Sequence, residues 1–436
     1  ITAERIKEGL RSGKSLDGAL KSGFARGLTP IIDGNVTIVI VAAILMGAFG
    51  PTDGFWAKVF NPIFYWFGPS TAGTIYSFGF TLLTSVLLNF VFGVWATRVM
   101  IRGAVHFKPL RKAWLFGGKK EGGADFKTPS INFIGNRKKF YTFSCALIAV
   151  VLVFCGIFGV KMDVEFKGGS MITLAYEGDA DLNDLKSTIG TELGKSNLTL
   201  QTGSDISGNQ TLTVTLPGSD TLTTEQLDNL LAALNEQYPD NKFVQNEVSN
   251  VDATIGKEFL LKSVVALVAA CVLILLYVAY RFRKIGGLKA GSTAIVALLH
   301  DMFVVFGVFV LLRIPLNGNF IAALLTILGY SINDTVVIYD RIRENSALYG
   351  KKQMSLAELV NLSVNQSFAR SLMTSITTCL ALGVVCVVSV IYRLDSIYSF
   401  AFPLLFGMVS GVYSTICIAT PLWVDWKNKK KAAKKA

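Results

Sequence analysis

Eight apolar blocks, each long enough to cross a hydrocarbon core roughly 30 Å thick, constrain this 436-residue chain more than any other feature. Windows of about 19 residues place them at 31–49, 74–98, 140–160, 259–280, 290–312, 319–339, 370–391 and 396–424. The blocks lack the wide polar face of a surface helix, and several carry Gly, Ser and Thr that let helices approach closely. Only 17% of residues are charged and 51% are hydrophobic, against roughly 25% charged in soluble proteins. A soluble enzyme, a secreted disulfide scaffold and a disordered chain are thereby excluded. Cys145, Cys155, Cys271, Cys379, Cys386 and Cys417 all lie inside the blocks without metal-ligand spacing. They read as small buried apolar residues.

A net charge of +12 first suggests nucleic acid. With eight spans the loops alternate sides, and one set of loops holds 32 of the 42 Lys and Arg residues. That bias marks the set as cytoplasmic. The segment 161–258 on the other side carries 6 basic and 16 acidic residues, a net of −10. Topology therefore accounts for the charge, and no nucleic-acid partner is expected. The Lys-rich tail 427–435 reads as an anchor to anionic lipid, with contact to a ribosome or a partner as the other reading.

Segment 161–258 is a different kind of sequence. Strand patterns at 171–176, 197–201, 210–216 and 243–248 alternate with helical stripes at 181–194 and 223–238, the second capped by Thr223 or Thr224. The order β-α-β-β-α-β is that of a small α+β ferredoxin-like domain. It holds no His, Cys or carboxylate cluster suited to catalysis.

The chain also repeats itself. Glu4-Arg5-Ile6-Lys7-Glu8, then Gly23-Phe24-Ala25-Arg26-Gly27-Leu28 before a span, match Asp340-Arg341-Ile342-Arg343-Glu344, then Ser367-Phe368-Ala369-Arg370-Ser371-Leu372 before a later one. Phe78-Gly79-Phe80-Thr81-Leu82-Leu83 likewise matches Phe400-Ala401-Phe402-Pro403-Leu404-Leu405. One complete set of six spans thus follows the last two spans of a related set. Ile1 to Arg5 read as the tail of an element already under way, so the chain is expected to be the carboxy-terminal part of a longer one. Repeats of this kind build transporter-like bundles with a site near the repeat interface.

Ionisable residues within spans are costly and mark functional sites. Asp334 stands mid-span beside Asn333, in Gly329-Tyr330-Ser331-Ile332-Asn333-Asp334-Thr335. A lone carboxylate in low dielectric is suited to taking up and releasing a proton. Arg370 opens the next span and can approach its depth; a switchable Asp–Arg pair, a static ion pair and a snorkelling Arg370 all fit. His300-Asp301 is either a proton relay or a helix–helix hydrogen bond. Asp33 opens the first span and either caps it or belongs to the same pathway. Glu4 and Asp340 read as interfacial partners of arginines. No Walker motif, nucleophile–base set or metal cluster appears, so neither enzymatic activity, a cofactor nor a metal is expected, and work must draw on an ion gradient or a partner.

The run from Gly329 to Asn345, with Tyr280-Arg281-Phe282, His300-Asp301 and Gly407 to Ser414, resembles the SecF signature of the bacterial protein-export machinery. Ile32-Asp33-Gly34-Asn35-Val36-Thr37, with Glu4-Arg5-Ile6 before it, resembles the end of SecD. This resemblance to fused SecD–SecF proteins divides the chain into a SecD-like connector at 1–30, the last two SecD-like spans at 31–98 and a linker at 99–139. The first SecF-like span at 140–160, an extracytoplasmic domain at 161–258, five further spans at 259–424 and a basic tail at 425–436 follow. It implies an α-helical multi-pass bundle like the resistance-nodulation-division transporters, in the bacterial cell membrane. It further implies an auxiliary of the Sec channel that promotes late export with a proton or sodium gradient and meets unfolded preprotein outside, with Asp334 and Arg370 in the ion pathway. A further aspartate of SecD would fall just upstream of Ile1. One departure stands out: Glu165-Phe166-Lys167-Gly168-Gly169 replaces the usual Asp-Phe-x-Gly-Gly. An exporter of small hydrophobic molecules or lipids, and a scaffold recruiting channel subunits, are the competing readings.

Overall fold

A computed structural model describes residues 2–68, 73–118, 130–178, 180–195, 198–204, 210–217, 222–349, 354–392 and 394–433. Ile1, Arg393, the centre of the 203–208 turn and the last residues of the basic tail lie outside these, as do the side chains on which the tail's lipid reading depends. Among the described residues, eight helices are long and apolar enough to cross a membrane: span 1 (Leu16–Phe49), span 2 (Ile75–His106), span 3 (Arg137–Phe158), span 4 (Ala253–Arg281), span 5 (Gly287–Leu311), span 6 (Gly318–Tyr349), span 7 (Leu356–Ile391) and span 8 (Ile397–Asn428). A multi-pass helical bundle with one small sheet domain is therefore the architecture, as the sequence implies.

Spans 1, 6 and 7 run well past their apolar windows, all at the end of the bundle away from the sheet domain. Local chemistry explains the extra turns. Ser15 caps span 1 by accepting from the Gly18 N–H at 3.2 Å, and Ser355 with Glu358 forms a capping box at the start of span 7. Asp33 consequently sits deep inside a helix, and the reading of it as a cap is wrong: Ser15 holds that place. A short helix, Thr2–Arg11, lies against the extension of span 1.

Span 6 is the axis of the bundle, with 83% of its apolar window buried, whereas spans 2, 3 and 7 are 11% buried and turn their apolar sides outward. Cys145 is among these outward residues, which corrects its reading as buried; the six cysteines are unpaired. Two π-helical stretches, Asn89–Ala96 in span 2 and Thr415–Ala419 in span 8, fall at corresponding places of the sequence repeat. Phe78 and Phe400, equivalent in that repeat, meet edge to face at 5.5 Å.

The sheet domain has strands β1 (Gly169–Tyr176), β2 (Thr199–Ser204), β3 (Gln210–Pro217) and β4 (Val244–Val251) in the order β2-β3-β1-β4, every neighbour antiparallel. Helices Leu182–Glu192 and Thr224–Gln237 cover one face through Leu185, Ile189, Leu230 and Leu234, all fully buried. Leu182, the first residue of the first helix, is exposed.

The domain is tied to the bundle through the segment that precedes β1. Met162 pairs with Leu316 in a parallel bridge, and the Glu165 carboxylate accepts from the Gly318 N–H at 2.6 Å. Gly168, at φ +81°, packs where a Cβ would strike the Ala253 backbone. The Glu of the departing motif thus reaches the first N–H of span 6, where a carboxylate also meets the positive end of the helix dipole. Burial raises the Glu165 carboxyl above 4.5, against the pull of that N–H. The folded state therefore holds this proton more tightly than the unfolded one, and stability falls as pH climbs from about 4.5 through the raised value. Glu165→Gln, which keeps the acceptor, is expected to flatten that fall in thermal unfolding. Glu165→Ala, which leaves the N–H unpaired, is expected to cost about 1.5–3 kcal/mol.

Candidate functional site

Three carboxylates lie within the apolar windows of the spans, and each solves the problem of burial differently. Asp33 of span 1 faces Arg281 at the end of span 4. The guanidinium grips it with Nε 2.7 and 2.8 Å from the two carboxylate oxygens and Nη2 2.7 Å from Oδ2. The Tyr277 hydroxyl donates to Oδ1 at 3.1 Å. This is a forked, charge-assisted pair closed by a third donor.

Asp301 of span 5 has no exposed surface. Three serine hydroxyls donate to it: Ser331 of span 6 at 2.6 Å, Ser410 of span 8 at 2.6 Å and Ser414 of span 8 at 2.7 Å. Nδ1 of His300 lies 3.3 Å from Oδ1, and Nε2 of His300 is buried without a partner among the described residues. The His300–Asp301 pair therefore belongs to a knot that binds spans 5, 6 and 8 together.

Asp334, halfway along span 6, makes no hydrogen bond or ion pair with any described residue. It borders a small cavity of about 50 Å³ with Ser331, Thr374, Ser375 and Thr378 around it, space for very few waters. Asn333, one residue earlier, lines both this cavity and a larger one of about 400 Å³ that also takes in Asn35, Asn89 and Thr326. Gly34 makes room for it: a Cβ there would overlap the Asn333 side chain. Arg370 does not close on Asp334. Its charge acts on the aspartate from a distance, while its Nε stands 3.9 Å from Glu4 on the short helix. The direct Asp334–Arg370 pair is thus not formed here, because Glu4 is the carboxylate within reach of the guanidinium.

Below Arg370 the repeat closes on itself. Arg5 bonds Glu8 and Glu344, each at 3.0 Å, and Arg341 bonds Glu344 and Glu8, each at 2.9 Å. Every member pairs with its own copy's partner and with the other copy's. Asp340 takes Arg343, with Arg5 at 3.9 Å, which places Glu4 and Asp340 among arginines as the sequence suggested.

Residues 231–429 match the family described as protein export membrane protein SecD/SecF, C-terminal. The SecF protein translocase subunit of Alicyclobacillus acidocaldarius is 36% identical over 70% of this chain and 96% of its own length. The chain belongs to the SecD/SecF family. The SecDF translocase subunit of Bacillus subtilis is 30% identical over 99% of the chain and 55% of its own length. The crystal structure of Thermus thermophilus SecDF, a translocon-associated membrane protein, superposes with a TM-score of 0.74 at 29% identity over 98% of this chain and 52% of that one. The chain thus spans about half the length of the SecDF relatives and nearly all of a SecF.

Within this SecD/SecF chain, sequence reasoning placed Asp33, His300, Asp301, Asn333, Asp334 and Arg370, and missed their partners. Ser410 and Ser414, one helical turn apart in an apolar span, carried a readable sign of a shared acceptor. Arg281 stood in a recognised motif, but nothing in its spacing pointed 248 residues back to Asp33. Breaking the Asp33 pair tests the burial argument. Arg281→Ala, which strands a buried charge, is expected to lower stability by about 3–5 kcal/mol. Asp33→Asn combined with Arg281→Gln is expected to cost less than the two single changes summed, as read by thermal unfolding in detergent.

Proposed function

We propose that this chain is the ion-coupled part of an auxiliary subunit of the Sec preprotein translocase. In this reading a proton or sodium gradient across the cytoplasmic membrane of a bacterium drives the late stage of export. The charged end faces the cytoplasm and the channel subunits, and the acidic sheet domain faces outward toward unfolded preprotein. The work is conformational, with no catalysis. The family assignment supports the export role; the observation that carries the coupling is Asp334, which alone of the three carboxylates inside the apolar windows has no bonded partner among the described residues.

The geometry suggests how coupling would run. Asp334 charged and Asp334 neutral attract Arg370 differently, and Arg370 has a rival carboxylate in Glu4. Loss or gain of the Asp334 charge would therefore shift Arg370 between spans 6 and 7 on one side and the Arg–Glu ring on the other. Span 6 begins at the Glu165 contact, so a movement of its axis would reach the sheet domain.

Membrane vesicles carrying the intact cellular protein provide the test. Asp334→Asn is expected to reduce gradient-dependent stimulation of preprotein export to background while the protein still inserts and folds, and Asp334→Glu is expected to retain part of it. Separate proton and sodium gradients identify the ion. Export stimulation unchanged in Asp334→Asn refutes the reading, and gradient-driven efflux of hydrophobic molecules with export unaffected would favour an exporter instead.

A further inference from the structure

The cavity at the charged end of the bundle is used by nothing described so far. It encloses about 650 Å³ between the short helix, span 1, the turn after span 4 and the end of span 6, and its charged walls are Arg5, Arg26, Lys284, Asp340, Arg343 and Glu344. The two carboxylates are already engaged, Asp340 by Arg343 and Glu344 by Arg5 and Arg341. Arg26 and Lys284 remain, exposed and from different elements, with no partner among the described residues. Two unpaired cations thus face a space whose other charges are internally balanced, which is an arrangement for an anion.

Depth identifies the kind of anion. About 20 residues of helix cross the hydrocarbon, and counting back from Phe49 at the far end of span 1 reaches residue 30. Arg26 lies about 6 Å beyond that point at 1.5 Å per residue, in the headgroup layer. The same count forward from Gly318 in span 6 ends at residue 337 and places Arg343 about 9 Å beyond the hydrocarbon. On the membrane side of Arg26, Leu28 and Ile32 are 40% and 41% exposed, so an apolar surface continues from the cavity toward the acyl layer.

We propose that this cavity binds the phosphate of an anionic phospholipid, held by Arg26 and Lys284, with its acyl chains along the Leu28 and Ile32 side of span 1. A free phosphate shares the chemistry, but the headgroup depth and the adjoining apolar surface favour the lipid. Basic pockets between membrane helices recognise phosphate headgroups in this way.

The test uses the purified full chain in detergent supplied with phosphatidylglycerol or phosphatidylcholine, and native mass spectrometry to read retained lipid. Phosphatidylglycerol is expected to be retained over phosphatidylcholine. Arg26→Gln and Lys284→Gln are each expected to lower its retention about fivefold, and the pair roughly twentyfold, while Lys58→Gln, at the opposite end of the bundle, leaves it unchanged. Both positions are exposed, and thermal unfolding confirms that each single variant is folded. Equal retention of the two lipids, or undiminished phosphatidylglycerol in both single variants, overturns the proposal. Inorganic phosphate in place of lipid forms the last arm: if it raises the unfolding temperature in an Arg26- and Lys284-dependent way and displaces the lipid, the site is one for soluble phosphate and the lipid assignment falls.

Discussion

The forked bond between Arg281 and Asp33 allows span 1 to carry a carboxylate among apolar helices, and the rest of the bundle is arranged around the same difficulty. Removing a charge from water costs several kcal/mol even after relaxation, so each buried carboxylate needs its own solution. Asp33 takes a cation and a phenol. Asp301 takes three hydroxyls from two neighbouring helices, which keeps the charge acceptable and fixes the rotation of spans 6 and 8 against span 5. Asp334 takes neither, and has one small cavity beside it, bordered by Ser331, Thr374, Ser375 and Thr378, instead. Two of the three carboxylates inside the apolar windows are thus held by several donors each, and the third has none among the described residues.

The repeat has a structural meaning beyond sequence likeness. Equivalent arginines and glutamates cross-bond at the charged end, equivalent phenylalanines touch deeper in, and equivalent spans each contain a π-helical stretch. Alternation of own-copy and other-copy partners in the Arg5–Glu8–Arg341–Glu344 ring means that neither half can rotate without lengthening contacts of both. Such a closed ring favours concerted movement of the halves over independent movement of single helices.

How much of this could be read from the chain follows from the range of each interaction. The existence of the spans and the β-α-β-β-α-β order are local in origin, set by hydropathy over about 20 residues and by strand and helix periods, and both emerge from the sequence. Helix extents were underestimated where polar turns continue past the membrane, since a hydropathy window ends at the first run of charges although Ser15 and Ser355 cap the helices much earlier. Pairings were least legible. Asp334 and Arg370 are 36 positions apart and were matched by depth alone, whereas Glu4, remote in sequence, proved nearer to the arginine in space. Depth in a membrane orders residues along one axis only, and partner choice is decided by the other two.

Span 6 joins these levels. Its first N–H is held by Glu165 at the base of the sheet domain, its centre carries Ser331 on the Asp301 knot and then Asn333 and Asp334, and its last turns supply Asp340, Arg341 and Glu344 to the ring. With 83% of its apolar window buried, it cannot bend locally without opening voids against close-packed neighbours. A helix so confined moves as a rod or stays still. If Asp334 carries the proposed coupling, a change of charge there would be felt at both ends, with the serine knot three residues before it as the fulcrum. The longer Glu side chain at position 165, where Asp is usual in the family resemblance, fits the same picture, since it spans the gap to a helix end whose position matters.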